Sequence, residues 1–219
     1  EKIDAAVKSG AKSAIIMGAG LIGLEVGVGL MERGLTVTIV EMLPQILPQL
    51  LDADMAKLVQ EHLESKGMRI LLGKGVEEFL GDDKVTAIIA GGEKIEADLF
   101  ISAFGVRANT KLAAEAGIPL GETRAIKTNS RMETDIKDIY AVGDCAEAPN
   151  SITHRPTCAQ LGTIAVRQGK VAGANAGGDY SQFNGLLASA VTRLFEIEAG
   201  NTGLTETAAA RNRIEVVTG

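Results

Sequence analysis

The chain has 219 residues, of which 46% are apolar and 23% charged, and its formal net charge is −6. This composition favours a folded core and excludes global disorder. A net negative charge without a basic block argues against a nucleic acid partner. The apolar runs are interrupted by Gly, Glu and Arg, so no membrane span is predicted. With no visible signal peptide and only two cysteines, the expected location is the cytoplasm.

After a short predicted helix, residues 13–40 read as a strand, a glycine turn, a helix and a second strand. The first apolar run is compact, as expected for a parallel strand that is buried on both faces, and the second is β-branched throughout. Together they predict one βαβ unit, with Glu41 at its end. The predicted elements are helix 3–10, strand 13–17, helix 24–33 and strand 36–40.

The following segment adds a helix, a third strand and a set of short strands. Asp52 is the predicted N-cap of the helix, and Gly67 closes it. Glycine and aspartate pairs divide the stretch 76–92 into short strands, which is typical of an antiparallel meander. Strands are also predicted over 69–72 and 99–101. The sequence therefore indicates an α/β fold, in which a Rossmann-type parallel sheet is joined to an antiparallel β-meander.

The chain after residue 110 has a different pattern of elements. Two short β-type runs and a long helix are its main features. The predicted elements are helix 110–116, strands 125–128 and 139–142, helix 160–176, and apolar segments at 186–187 and 191–195.

The turn from Gly18 to Gly23 has the spacing GxGxxG between a strand and a helix, as in dinucleotide-binding βαβ units. Gly18 permits the tight turn, Gly20 lets the backbone approach a pyrophosphate, and Gly23 lets the helix pack on the strand. Phosphates would lie at the helix N-terminus, where free N–H groups and the dipole favour negative charge. The turn predicts a dinucleotide site; a purely structural turn is the alternative.

Glu41 lies 18 residues after Gly23, at the end of the second strand. A carboxylate there accepts hydrogen bonds from the adenosine ribose and repels a 2′-phosphate. Met42 and Leu43 follow, so no arginine is at hand to hold such a phosphate. The pattern favours NAD(H) over NADP(H); a solvated strand end is the alternative.

Two further carboxylates occupy positions that suit either a functional or a structural role. Glu25 lies just inside the helix after the turn, where an acidic residue is also favoured by the helix dipole alone. Asp144 follows a predicted buried strand, and such a strand end is where α/β proteins bind ligands. The alternative for Asp144 is the capping of the next turn.

The cysteines and histidines do not form a recognisable catalytic or metal-binding pattern. Cys145 and Cys158 make no CxxC pair and are interpreted as small buried thiols rather than nucleophiles. His62 and His154 are separated and lack carboxylates at ligand spacing. No catalytic residue and no metal site are predicted.

Several motifs together resemble the FAD-dependent pyridine nucleotide-disulfide oxidoreductases, especially the branch of NADH oxidases, NADH peroxidases and coenzyme A-disulfide reductases. The resemblance covers nearly the whole chain. The segments that carry it are residues 18–25 (GAGLIGLE), 40–41 (VE), 101–109 (ISAFGVRAN), 134–144, 167–170 (RQGK) and 203–206 (GLTE).

The resemblance implies NAD(H) and FAD as cofactors. It places Glu25 and Gly105 near the nicotinamide and Asp144 on the FAD ribityl chain. The helix that begins near Gln160 would direct its N-terminus at the flavin pyrimidine ring. Leu21 stands where many relatives carry an aromatic gate over the flavin, and leucine cannot stack in that way. The implied NADH-contacting residues are Gly18, Gly20, Leu21, Ile22, Gly23, Glu25, Glu41 and Gly105.

The resemblance also predicts the domain organisation. An NAD(H)-binding Rossmann domain is expected over 11–109, the returning C-terminal part of an FAD-binding domain over 110–181, and the start of an α+β interface domain over 182–219. The family carries a second glycine-rich motif and a redox-active cysteine in an earlier half, which this sequence lacks. We therefore expect a fragment that is inactive alone and binds FAD poorly. A homodimer stays open.

The leading hypothesis is the NADH-binding portion of a flavoenzyme that passes hydride from NADH to FAD and on to a disulfide, a peroxide or oxygen. A stand-alone NAD-dependent dehydrogenase is one alternative. It would need a positioned acid-base group, and Tyr140 and Tyr180 stand in no such pattern. A non-catalytic nucleotide-binding module is the other.

Overall fold

The computed structural model describes residues 1–217, and the chain divides into two compact units. The first unit is built mainly from the N-terminal half and also takes in two later segments. The second unit contains most of the remainder. The first unit comprises Glu1–Gly105, Val191–Asn201 and Thr205–Thr207; the second comprises Val106–Ala190, Thr202–Leu204 and residues from 208 onward. The three-domain assignment made from the sequence stays a prediction.

Residues 1–105 of the first unit fold into three helices and seven strands. In chain order they are α1 Lys2–Lys8, β1 Ser13–Met17, α2 Leu21–Met31, β2 Thr36–Val40, α3 Ala53–Ser65, β3 Arg69–Leu71, β4 Val76–Leu80, β5 Ala87–Ala90, β6 Glu93–Glu96 and β7 Leu99–Ser102.

A parallel four-stranded sheet in the order β3-β2-β1-β7 positions the candidate site. β1 is central, and its Ile16 pairs with Ile39 of β2 and Ile101 of β7. The three strands β4, β5 and β6 form an antiparallel sheet, as the glycine and aspartate breaks predict. The predicted fold class, an α/β protein with a parallel sheet and an antiparallel meander, is confirmed.

One hydrophobic cluster of the first unit lies where these two sheets pack together. Ile15 and Met17 of β1 cluster with Ile88 and Ala90 of β5, and all four side chains are buried. Full burial of a side chain the size of isoleucine or methionine contributes about 1.5–3 kcal/mol. The same packing fixes the position of the carboxyl edge of β1, where the glycine turn begins.

The helix α2 begins at Leu21, three residues earlier than the pattern of apolar residues indicates. The turn is so tight that Gly20 is already the N-cap. Farther along, a Cβ at Gly27 would lie 3.2–3.4 Å from side chains of β1, β2 and Met68, so this helix packs closely on its sheet. The glycine turn is therefore held between a rigid strand and a rigid helix.

Between residues 106 and 217 the chain continues with three α-helices and four strands. In chain order they are α4 Lys111–Glu115, β8 Ala148–Pro149, β9 Pro156–Thr157, α5 Gly162–Ala176, β10 Ala190–Leu194, β11 Ile197–Asn201 and α6 Glu206–Arg211. The core of the second unit includes Ile164, Val171 and Ala172 of α5, packed with Phe183 and Leu186.

The prediction of two strands in the second unit, over 125–128 and 139–142, is wrong. The segment 125–128 forms only single bridges, from Ile126 to Leu120 and to Ala146, and the chain turns through a positive φ at Arg124 just before it. The segment 139–142 makes one bridge, between Tyr140 and Glu133. β-branched and aromatic residues favour an extended backbone, but a ladder needs a straight partner.

Asp52 is the N-cap of α3, as predicted, but its side chain does not cap that helix. The carboxylate instead accepts the backbone N–H of Glu206, at 2.9 Å to one oxygen and 3.1 Å to the other. A pattern within one helix cannot reveal this partner, because Glu206 lies 154 positions along the chain.

Candidate functional site

The turn after β1 brings the first glycine of the motif into contact with both neighbouring strand ends. Gly18 has φ +115°, and its N–H donates to the carbonyl of Val40 at 2.8 Å. A Cβ at Gly18 would lie 2.3 Å from the carbonyl oxygen of Ala103, in the loop after β7. Both the left-handed backbone and the close approach therefore require glycine at this position.

Gly23 and Gly20 differ in what surrounds them. A Cβ at Gly23 would lie 2.0 Å from the carbonyl oxygen of Gly18, so the fold itself requires this glycine. Gly20 has φ −80° and ψ −177°, which any residue can adopt. Apart from Gly20 and its two chain neighbours, no atom among residues 1–217 lies within 4 Å of a Cβ placed there. The space over Gly20 suits a ligand that approaches the backbone, as the sequence predicts.

The helix α2 begins directly after Gly20 and the open space over it. Within the described chain, no side chain caps this 11-residue helix at its Gly20 N-cap. Uncapped N–H groups and the positive end of a helix dipole form a site for an anionic group. Leu21 is half-buried and Ile22 exposed in this first turn.

Glu41 lies at the end of β2, beside the glycine turn. Its Oε2 accepts the N–H of Ala19 at 2.7 Å, and its Oε1 accepts the N–H of Leu43 at 2.8 Å. A carboxylate has about four lone-pair positions, so both oxygens can still accept ligand hydroxyls. The sequence places this side chain at the correct edge but does not reveal its contact with the turn.

Both backbone polar groups of Ala19 are hydrogen-bonded, and the sequence gives no signal for the bond with Leu47. Its N–H is bound by Glu41, and its carbonyl accepts the N–H of Leu47 at 2.9 Å. Leu47 is buried and has φ +47°, a left-handed conformation that is strained for leucine. The loop after β2 therefore braces the turn.

Glu25 and Gly105 lie on other parts of the same unit. Oε1 of Glu25 accepts the hydroxyl of Thr192 in β10, at 2.7 Å. Gly105 is exposed, with φ +98°, in the loop after β7 that also carries Ala103. Sequence reasoning missed Thr192, because a single threonine in a late strand carries no motif.

Asp144 does not lie at a sheet edge, which corrects the sequence prediction. It belongs to a 3-10 turn over Gly143–Cys145 that follows the irregular segment 139–142. The turn is fixed by Gln168 of α5, which is 1% exposed and accepts the N–H of Gly143 at 2.7 Å. The Asp144 side chain is exposed. Gln168 was missed because a buried amide on an apolar helix face gives no periodic signal.

The two cysteines are free and half-buried. The Cys158 thiol donates to the carbonyl of Asp144 at 3.3 Å. Burial, with the nearby negative charge of Asp144, raises the pKa of Cys158 above its usual value. A raised thiol pKa disfavours the nucleophilic thiolate.

Tyr140 and Tyr180 have surroundings that do not suit them as hydride-transfer acids or bases. The Tyr140 hydroxyl donates to Glu133 at 3.3 Å, and burial together with that carboxylate raises its pKa. A tyrosine that exchanges protons near neutral pH needs a lowered pKa. Tyr180 is 71% exposed and lies beneath the guanidinium of Arg131. Neither residue favours a stand-alone dehydrogenase.

The described residues form neither a metal-binding cluster nor a membrane-spanning helix. In residues 1–217, no three His, Cys, Asp or Glu side chains group together in a way that could hold a metal ion. Over the same range, no helix has both the length and the apolar character needed to cross a membrane.

Residues 1–169 match the sequence profile of the family described as pyridine nucleotide-disulphide oxidoreductase. This span contains the glycine turn, Glu41 and Asp144. The chain belongs to this family. The resemblance inferred from the motifs is thereby confirmed.

Family members with similar sequences include an NADH oxidase of Methanocaldococcus jannaschii. It is 46% identical over 97% of this chain, which spans 47% of that protein. A CoA-dependent NAD(P)H sulfur oxidoreductase of Pyrococcus furiosus is 33% identical over 96% of this chain and 48% of its own length. The chain thus spans about half the length of these curated relatives.

Solved structures of family members superpose closely on this chain. An NAD-dependent persulfide reductase from A. fulgidus has a TM-score of 0.95 and 34% identity, over 97% of this chain and 39% of its own. A water-forming NADH oxidase from Lactobacillus brevis, solved with NADH bound, has a TM-score of 0.89 and 30% identity, over 97% and 46%.

Proposed function

We propose that this chain is the NADH-binding portion of a flavin-dependent oxidoreductase. The supporting observation is the edge formed by β1, β2 and α2. There an open space over Gly20 meets an uncapped helix N-terminus and the carboxylate of Glu41. The pyrophosphate would lie at the helix N-terminus and the adenosine ribose at Glu41. Similar proteins named NADH oxidase support the same nucleotide.

The proposed NADH site also includes residues assigned by the family resemblance. Leu21 and Ile22 would line the path of the pyrophosphate through their backbone, while Glu25 and Gly105 would lie near the nicotinamide. Gly105 and Gly18 both adjoin the loop after β7, and Ala103 of that loop contacts Gly18. This adjacency supports a nucleotide that crosses the end of β1.

The second unit offers features that suit a flavin. Asp144 presents an exposed carboxylate that could accept hydroxyl groups of a ribityl chain. In the described residues no side chain caps the N-terminus of α5, which is 15 residues long. Its dipole would stabilise negative charge on a reduced ring. When bound, FAD would supply the chemistry that takes hydride from NADH and delivers electrons to an acceptor.

The acceptor class that we propose is a disulfide, a peroxide or oxygen. The name of the water-forming NADH oxidase supports oxygen, and that of the CoA-dependent sulfur oxidoreductase supports a sulfur-containing acceptor. Binding of donor and flavin would be the task of this chain's own residues.

Replacement of Glu41 tests the nucleotide assignment. We expect Glu41→Ala to weaken NADH binding several-fold, about 1 kcal/mol, because a charged acceptor of the ribose hydroxyls is lost. The preference for NADH over NADPH should also shrink, since the carboxylate no longer repels a 2′-phosphate. Titration of the purified chain with each nucleotide, followed by calorimetry, gives both dissociation constants.

A control must separate ligand contacts from the brace on Ala19. Glu41→Gln keeps one side-chain acceptor but removes the charge. Glu41→Gln should therefore have a higher melting temperature than Glu41→Ala. Its preference for NADH over NADPH should still be weaker than that of the unmodified chain. Unchanged affinities for both nucleotides in both variants would remove Glu41 from the site.

A further inference from the structure

The hydroxyl of Thr192 is buried and has a charged partner far away in the sequence. Thr192 lies in β10 and is 3% exposed. Its Oγ1 donates to Oε1 of Glu25 at 2.7 Å, across 167 positions of the chain. Both residues belong to the first compact unit, so a strand from beyond residue 190 contacts the helix that follows the glycine turn.

Packing alone does not require a hydroxyl at this position. Valine has nearly the same shape as threonine and would avoid the cost of burying a polar group. The buried hydroxyl is satisfied by the bond to a carboxylate, and such charge-assisted bonds are stronger than neutral ones. What distinguishes Thr192 from a valine is therefore its bond to Glu25.

The bond restricts a side chain that would otherwise move freely. Glu25 is exposed and lines an open cleft of about 390 Å³, so its carboxylate remains accessible. An exposed glutamate samples several rotamers, and ordering it during ligand binding costs free energy. A carboxylate held in advance on one oxygen avoids much of that cost.

The location of Glu25 indicates which part of a nucleotide it would meet. Glu25 stands two residues beyond Gly23 on α2. Glu41, the residue proposed to bind the adenosine ribose, follows β2, which lies on one side of β1 in the sheet. A dinucleotide with its adenosine at β2 and its pyrophosphate over Gly20 must extend its other half away from β2. The group at that end is a carboxamide, which offers N–H donors to a carboxylate.

We propose that Thr192 is a positioning residue for the nicotinamide half of NADH. Its hydroxyl fixes Oε1 of Glu25, so that Oε2 is presented to the carboxamide N–H group. This inference rests on the proposed function, since it takes NADH to bind at the glycine turn. It assigns a nucleotide-binding role to the strand β10, outside the βαβ unit.

The test compares NADH with ADP-ribose, which has the same adenosine and pyrophosphate but no nicotinamide. We expect Thr192→Val to weaken NADH binding about three- to tenfold. The loss is smaller than for a direct ligand contact, because only the hydrogen bond that orders Glu25 is removed. ADP-ribose binding should change less than twofold. Thr192→Ser keeps the hydroxyl and should restore NADH affinity. Both dissociation constants are measured by calorimetry on the full chain.

The control uses another buried threonine with a hydrogen bond, Thr134, which donates to the carbonyl of Ile136 at 3.1 Å in the second unit. Thr134→Val should leave both affinities unchanged. In a double-mutant cycle, Thr192→Val should have no further effect on NADH once Glu25→Ala is present. If Thr192→Val folds poorly, Thr192→Ala takes its place in the ligand comparison and in the cycle, with Thr192→Ser still as the variant that keeps the hydroxyl.

Several outcomes would overturn the assignment. Equal losses for NADH and ADP-ribose would mean that Thr192 acts only on the fold. Additive losses in the double-mutant cycle would mean that it does not act through Glu25, and unchanged NADH affinity would mean that it has no role. Failure of the unmodified chain to bind either ligand would instead contradict the proposed function itself.

Discussion

Gly20 offers the sharpest test at the scale of single residues, because the fold does not require it. A Cβ at Gly20 meets open space among the described residues, as does one at Gly29 on the same helix. We expect Gly20→Ala to fold normally but to weaken NADH binding about tenfold or more, since the methyl group would occupy the path of the pyrophosphate. Calorimetric titration and thermal melting check the two parts.

Gly29→Ala is the matched control. It should keep the NADH affinity and raise the melting temperature slightly, because alanine is favoured over glycine inside a helix by up to about 1 kcal/mol. If Gly20→Ala bound NADH as tightly as the unmodified chain, the ligand would not approach this backbone.

Cys158 is the residue whose pKa makes a prediction about reactivity. Burial raises the pKa of its thiol, so the neutral form persists to higher pH in the folded chain than in the unfolded one. We expect iodoacetamide to modify Cys158 more slowly in native protein than in urea at pH 8, and the gap to narrow as pH rises. Mass spectrometry of the peptide containing Cys158 gives both rates. A native rate above the unfolded one would indicate an activated thiol instead.

At the scale of elements, Asp98 joins the starts of β1 and β7. Its Oδ2 accepts the N–H of Lys12 at 2.8 Å, and the N–H and hydroxyl of Ser13 at 3.0 and 2.9 Å. These donors favour the carboxylate form and hold the pKa of Asp98 below its usual value. The stabilisation is therefore complete above the unfolded pKa, about 4, and is lost as pH falls through the lowered folded value.

Replacement of Asp98 should reveal that dependence. We expect Asp98→Ala to lower the melting temperature at pH 6 and the difference from the unmodified chain to shrink below pH 4. Thermal melts over pH 3–7 provide the comparison, with the exposed Asp82→Ala as control. A difference that stayed constant over this range would exclude the carboxylate as its source.

The elements that the sequence predicts well are those whose own residue types favour one conformation. β1 is an unbroken apolar run and β2 is β-branched, and both have the predicted bounds. The segment 139–142 has an equally strong apolar pattern, yet it makes one bridge only. A strand needs a partner with a matching straight backbone, and no property of the segment itself reports whether that partner exists.

At the scale of the whole molecule, the site was predictable where it depended on local spacing. Gly18, Gly20, Gly23 and Glu41 all lie at one edge of the parallel sheet, because strands and helices of predictable length bring them there. Thr192 could not be found in this way, since its contact with Glu25 depends on which face of β10 packs on α2. The homodimer and the cytoplasmic location stay predictions.

The proposed function depends on NADH binding at the glycine turn. An amide-resolved NMR titration of the isotopically labelled chain with NADH shows which residues the nucleotide contacts. We predict saturable shifts at residues 18–23, at Leu43 beside Glu41 and at Gly105, with much weaker shifts when NADPH replaces NADH. Absence of saturable binding, or shifts confined to residues away from this edge, would contradict the account.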